Sequence, residues 1–170
     1  MSQTTVNEYR ARDIQGQVHN LSEAVTDVRV VDSATNIVPG YAVIKGTADN
    51  EVSLPAAAFT QDNFQGIAVW SGQAREKALL TGINTYEDDS DIPILIDGVI
   101  AVTLGGTVSK GGIAFFVHTA GGASAQYTWR ADIDTNKASE TPAEFLEGGS
   151  SGDIVRVRLR MGAGLGSRLT

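Results

Sequence analysis

The sequence predicts an all-β fold, a compact antiparallel β-sandwich or barrel of the jelly-roll kind. Short runs of branched and aromatic residues recur along nearly the whole chain, and turn signals that contain Gly or Pro separate them. Glycine supplies 19 of the 170 residues, more than the roughly 7% of an average protein, which indicates many turns. This spacing favours antiparallel pairing over βαβ units.

Nine segments have the composition and length of strands. They are residues 28–31, 41–45, 66–70, 78–83, 92–96, 99–104, 113–118, 127–133 and 154–160. The pair Asp97-Gly98 separates two of these segments and predicts a hairpin corner, because a glycine readily adopts the positive φ that such a turn requires.

One short helix is predicted at residues 141–148, TPAEFLEG. Thr141 fits an N-cap, Pro142 fits the first helical position, and Glu144 completes a capping box. Gly148 fits the C-terminal cap.

The ends of the chain differ from its middle. Residues 1–13 are mostly polar and show no alternation that would bury a face, so we expect an extended N-terminal arm. Residues 161–170 contain three glycines and are expected to form a flexible tail. Residues 14–160 are expected to form a single β domain.

Charge and composition exclude several classes of partner. The formal net charge is −7, and because residues 153–170 contribute +3, the remainder carries −10. Such an acidic body repels phosphates, so no nucleic acid partner is expected. No apolar run approaches the roughly 18 residues of a membrane span, and the polar start lacks a signal peptide core, so no membrane partner is expected. Cysteine is absent.

Several motif matches fail on inspection. Residues 148–152, GGSSG, satisfy G-x-S-x-G, but a nucleophile elbow needs a strand before it and a helix after it, and here that order is reversed. The run that starts at Asp132 begins like a calcium loop but has Lys137 and Ala143 at positions six and twelve. The acidic residues 87–91 are typical of a solvated loop. We therefore predict no catalytic residue, metal site or cofactor.

A ladder of arginines is the polar feature that points to a function. In residues 153–160, DIVRVRLR, alternation with a period of two places Val155, Val157 and Leu159 toward the core. Arg156, Arg158 and Arg160 then share the opposite face. This face is either solvated, paired with the chain's own carboxylates, or an interface, since arginine pairs well with the carboxylates of a partner.

Four segments together resemble one protein family. They are PGYAVIKG (39–46), QGIAVWSG (65–72), DIPILIDGVIAVTLGGTVSKGGIAFFVHTAGG (91–122) and GDIVRVRLR (152–160). The succession resembles the head decoration, or structural cement, proteins of tailed bacteriophages. In those proteins a G-V-A strand, a P-V-x-x-x-G block and a V-x-x-G turn follow one another, and here residues 66–68, 93–98 and 108–111 correspond to them.

The resemblance implies a non-enzymatic capsid decoration protein, made in the host cytoplasm and located on the outer surface of the virion. It would bind the major capsid protein and itself, as a trimer or alternatively a dimer, and clamp neighbouring coat subunits together. The expected partner interface comprises Arg156, Arg158 and Arg160 of the ladder, with Tyr9, Arg10 and Arg12 of the arm.

Two other classes stay open. The first is a virion attachment or tail-associated β module that binds a cell-surface glycan, with Trp70, Trp129, Tyr86 and Tyr127 as a stacking platform. The second is a trimeric β-fold nucleotide hydrolase, which would require an acidic metal site and a phosphate-binding glycine loop within mutual reach.

Overall fold

A computed structural model describes residues 13–71, 85–121, 125–133 and 137–161. These residues form ten strands and no helix, and all ten strands belong to one sheet. The strands are β1 (Val18–His19), β2 (Val25–Val31), β3 (Ala42–Lys45), β4 (Glu51–Ser53), β5 (Phe64–Ala68), β6 (Asp91–Thr103), β7 (Ile113–Val117), β8 (Trp129–Arg130), β9 (Ala138–Phe145) and β10 (Ile154–Arg160). The described part contains no helix that could cross a bilayer. The all-β prediction is confirmed.

The strand pairings close a first ring. Following the hydrogen bonds from β6 leads through β2, β4, β3 and β5 and back to β6, with only the β2–β4 pairing parallel. Each of the five strands contributes a buried side chain to one apolar cluster: Val31, Val52, Val43, Ala68, Ile92 and Ile94. The first ring is therefore a small barrel with its own core.

A second ring shares the same long strand. From the C-terminal half of β6 the pairings lead through β10, β9, β7 and β8. An isolated bridge between Leu104 and Trp129 then connects β8 to the residue that follows β6. The interior of this second ring belongs to the larger apolar cluster, which includes Ile100, Val157 and Phe116. The same cluster extends to Ala42 of β3 and Ile67 of β5.

A register shift lets β6 serve both cores. Val25 pairs with Asp97 and Thr26 pairs with Leu95, so Ile96 has no partner on β2, as in a β-bulge. Before the shift, the odd-numbered Leu95 faces the larger cluster, and after it the even-numbered Ile100 does so. One inserted residue thus exchanges the two faces of the strand.

Residues 97 and 98 form no hairpin corner, contrary to the prediction from sequence. β6 runs through them without a break, and Asp97 and Gly98 pair with Arg160 and Leu159 of β10. Gly98 has φ of 136°, and a Cβ there would lie 3.2 Å from the backbone of Ala24. The glycine serves the irregular, crowded part of a continuous strand and not a turn.

The predicted helix at residues 141–148 is wrong. Its first five residues belong to β9, in which Thr141, Ala143 and Phe145 are buried. Pro142 is accommodated because the pairing with β7 changes register there, from Glu140 opposite Phe115 to Glu144 opposite Ile113. A proline in a strand is tolerated at such an irregularity, where its missing N–H is not needed.

The remaining strand predictions agree with the observed strand bounds to different degrees. β10 has the predicted bounds, and the predictions for β3 and β7 differ from the structure by one residue at one end. The predicted β5, at residues 66–70, lies two residues too late in the chain. β1 and β4 were not predicted, and β8 is much shorter than the predicted segment at residues 127–133. The predicted strand at residues 78–83 lies outside the described residues.

Trp129 connects the two rings. Its side chain is fully buried in the second ring, where it packs edge-on against Phe116 with 5.2 Å between ring centroids. Its Nε1 donates a 2.8 Å hydrogen bond to the carbonyl of Gly40, just before β3 of the first ring. A buried carbonyl that loses its donor costs about 1–3 kcal/mol.

We therefore expect Trp129→Phe to lower the free energy of unfolding by at least about 1–3 kcal/mol, because the Gly40 carbonyl loses its partner. Tyr41→Phe is the matched control, since the partly buried Tyr41 hydroxyl has no hydrogen bond within the described residues. Urea unfolding of both variants tests this expectation. Equal stability of the two variants would show that this hydrogen bond does not contribute to the stability of the fold.

Candidate functional site

The arginine ladder lies on the outer surface of the second ring. Val155, Val157 and Leu159 are at most 3% exposed and face the core, as the alternation predicts. Arg158 and Arg160 are exposed, whereas Arg156 is partly buried. We call the outward side of β10, together with its neighbours on β6 and β9, the arginine face.

Arg156 is engaged within the fold. Its guanidinium pairs with the Glu147 carboxylate, and its Nε lies 3.8 Å from Oδ2 of Asp13. The other carboxylate oxygen of Asp13 lies 3.3 Å from Nε2 of His19. Arg156 therefore connects β10 to the loop that precedes it and to the first described residue of the chain.

Arg158 and Arg160 are placed differently. No carboxylate of a described residue lies within 4.0 Å of either guanidinium. Yet each stands in register with an acidic residue on a neighbouring strand: Arg158 is opposite Glu144 of β9, and Arg160 is opposite Asp97 of β6. The surface is therefore mixed in charge, and the ladder of arginines predicted from the sequence describes only its basic part.

A groove borders Arg158 and Arg160. It arises where the chain leaves β6 between β1 and β2, since His19 pairs with Val99 and the next pairing is that of Val25 with Asp97. The cavity volume is about 290 Å³. We call it the charged groove, and its chemically important lining residues are His19, Glu23, Asp97, Val99, Arg158 and Arg160.

Tyr9, Arg10 and Arg12 lie outside the described residues, so the structure does not test their predicted part in the interface. Asp13, which follows them directly in sequence, is on the arginine face through its contact with Arg156. The chain after Asp13 is held to β6 by backbone hydrogen bonds, of which Gly16 N–H to the Ala101 carbonyl is 2.8 Å.

Two of the four aromatic residues that would form a glycan-binding platform are buried and cannot take part in one. Trp129 is fully buried, and Tyr86 is 2% exposed. The Tyr86 hydroxyl donates to the Val69 carbonyl at 2.7 Å, and burial raises the pKa of this tyrosine. Tyr127 is partly buried and packs against Tyr41, with 5.2 Å between ring centroids. Neither Trp129 nor Tyr86 can offer a ring face to a sugar.

Residues of the three motifs that the sequence analysis rejected as functional sites make hydrogen bonds that support local structure. A hydrogen bond from Arg130 holds the Asp132 carboxylate and lowers its pKa. In the loop before β10, the Ser150 N–H donates to the Asp153 carboxylate at 2.8 Å. Asp88, in the acidic loop, accepts the Ser33 N–H at 3.1 Å. No three His, Asp or Glu residues in the described ranges are grouped to hold a metal ion.

Because Arg156 is ion-paired and Arg158 and Arg160 are exposed, we expect substitutions of these arginines to differ in their effects on stability. We expect Arg156→Gln to lower the free energy of unfolding by up to about 1 kcal/mol, the range of a partly exposed ion pair. Arg158→Gln and Arg160→Gln should each stay within about 0.5 kcal/mol of the parent protein, as surface substitutions do. Chemical denaturation measures all three. A loss for Arg158→Gln as large as that for Arg156→Gln would mean that Arg158 pairs within the fold.

Comparisons with known proteins agree with this architecture. The family model described as structural cement protein (E217 gp24/Pam3 gp6) matches residues 2–160. A chain of the structure titled "The capsid of Myoviridae Phage XM1" aligns with a TM-score of 0.65 over 94% of this chain and 97% of that chain. The two chains are 16% identical, so this likeness shows a shared fold. No curated protein matches the chain.

The family match spans nearly the whole chain and confirms the resemblance seen in the sequence. It gives the protein a structural, capsid-associated role in the virion. The chain belongs to the structural cement protein family of phages.

Proposed function

We propose that the protein binds the outer surface of an assembled phage capsid and stabilises contacts between neighbouring major capsid subunits, without catalysis or a cofactor. It is made in the host cytoplasm and acts as a homo-oligomer. Membership of the cement family supports this function. The observation that carries the proposed mode of attachment is the pair of exposed guanidiniums, Arg158 and Arg160, which make no ion pair within the described residues.

The chemistry of these two side chains suits a protein partner. A guanidinium presents five N–H donors in a planar fork that can bind a carboxylate through two parallel hydrogen bonds. Exposed on a strand of a closed ring, the two forks are held on a rigid support. We assign the capsid contact to Arg158 and Arg160, and we assign Arg156 to fixing Asp13 beside them.

The N-terminal arm extends the proposed interface. Tyr9, Arg10 and Arg12 lie within the four residues before Asp13, which lies on the arginine face. Arm and face together would therefore approach the same partner surface. Contacts of this kind are individually weak, but several copies joined in one assembly would bind with much higher avidity.

The proposed oligomer is a trimer, with a dimer as the alternative. The sequence contains two apolar runs that suggest self-association, residues 56–59 and 113–117. Phe59 and residues 114–117 are buried within the chain, whereas residues 56–58 and Ile113 are exposed. Three large apolar side chains are also more than half exposed on or near β2, namely Leu21, Val25 and Val28. Such residues are available to an interface between copies.

Light scattering of the free protein at micromolar concentration should give three times the mass of the 170-residue chain. The expectation follows from the exposed apolar residues, which contact between copies would cover, and from membership of the cement family. Twice the chain mass would select the dimer. A single chain mass both in solution and after release from capsids would contradict self-association.

Attachment is tested on undecorated capsids across a salt series. The double variant Arg158→Gln/Arg160→Gln should show lower occupancy at low salt than the parent protein, and its occupancy should change less with salt, because charge-assisted contacts are screened by ions. Lys110→Gln is the matched control, since Lys110 is exposed and lies outside the charged groove. Parental occupancy and salt dependence in the double variant would contradict this assignment.

A further inference from the structure

The charged groove contains unpaired charges of both signs. Arg158 and Arg160 line it from β10, Glu23 lines it from the turn between β1 and β2, and Asp97 lies on β6 between them. Within the described residues, none of these four side chains makes an ion pair shorter than 4.0 Å. Nε2 of His19, in the same groove, lies 3.3 Å from the carboxylate of Asp13. The groove therefore presents two positively and two negatively charged side chains to a binding partner.

A partner segment with charges of one sign fits this groove poorly. A purely acidic segment would gain the two guanidiniums but would meet the carboxylates of Glu23 and Asp97, and like charges brought together across an interface are costly. A purely basic segment would be attracted by the carboxylates of Glu23 and Asp97 but repelled by the two guanidiniums. A segment that presents a carboxylate beside an ammonium or guanidinium would match all four side chains.

The size of the groove limits what can enter. A volume of about 290 Å³ equals roughly ten water molecules at about 30 Å³ each. This is room for the ends of two side chains and not for a helix or a strand. Val99, which also lines the groove, provides an apolar surface for the stems of long side chains, which often bury their methylene groups while their charged ends stay hydrated.

We propose that the charged groove binds a mixed-charge segment of the capsid protein, with an acidic side chain against Arg158 and Arg160 and a basic side chain against Glu23 and Asp97. This inference rests on the proposed function and specifies the chemistry of the partner. The arrangement favours a correct partner and penalises segments that carry charges of one sign.

Glu23→Gln distinguishes the possibilities by the sign of its effect. If the partner supplies a cation to Glu23, the variant binds undecorated capsids more weakly, by about two- to fivefold, as expected for one exposed ion pair. If the partner segment is purely acidic, the variant binds more tightly, because a repulsive charge has been removed. Asp62→Asn is the matched control, since Asp62 is an exposed carboxylate outside the groove.

Glu23 is exposed, so its substitution should leave thermal unfolding unchanged, and that measurement accompanies the binding series. Weaker binding of both Glu23→Gln and Arg158→Gln, with Asp62→Asn unchanged, supports the inference. Tighter or unchanged binding of Glu23→Gln, with weaker binding of Arg158→Gln, overturns it but leaves the proposed function standing. A change in the mass of free Glu23→Gln would place a second copy in the groove and also overturn it. Failure of the parent protein to bind capsids would refute the proposed function itself.

Discussion

The long strand β6 is the constraint on which the rest of the structure depends. It belongs to two closed rings, so both of its faces must be apolar where the two cores meet, at Ile94 and Leu95. A strand of strict alternation could not fill the second core with Ile100 and Val102 after filling it with Leu95. The unpaired Ile96 resolves this conflict by exchanging the faces, and Gly98 allows Ala24 to approach closely beside it.

The sequence was sufficient where a local pattern determines the structure. The alternation in residues 154–160 predicted both the bounds of β10 and the outward direction of its arginines, because one face packs on a core and the other is exposed. The helix at residues 141–148 failed because capping signals are weak compared with tertiary packing. In β9, Thr141 is buried and its hydroxyl donates to the Ala114 carbonyl at 2.7 Å, a partner that is 27 positions away.

The composition of the candidate site could not be read from the sequence in the same way. Register alone places Asp97 opposite Arg160 and Glu144 opposite Arg158, and register depends on pairings between distant segments. Glu23 reaches the groove because the chain leaves β6 between β1 and β2, and β1 has only two residues, too few to give a periodic signal. The alternation within residues 153–160 therefore identified the arginines, but no local pattern identified the carboxylates that lie beside them.

The mixed charge of this surface changes what it can contribute to binding. A uniformly basic face would increase the rate of encounter with any acidic surface, including unassembled coat protein. Opposite charges side by side largely cancel at long range, so they act mainly at contact, where they determine orientation and discriminate between partners. A cement that must distinguish an assembled shell from its free subunits benefits from weak, oriented contacts, since only an array of correctly spaced sites lets several copies bind at once. The closed rings hold Arg158 and Arg160 on β10, which pairs with β6 on one edge and with β9 on the other, and this keeps those contacts oriented.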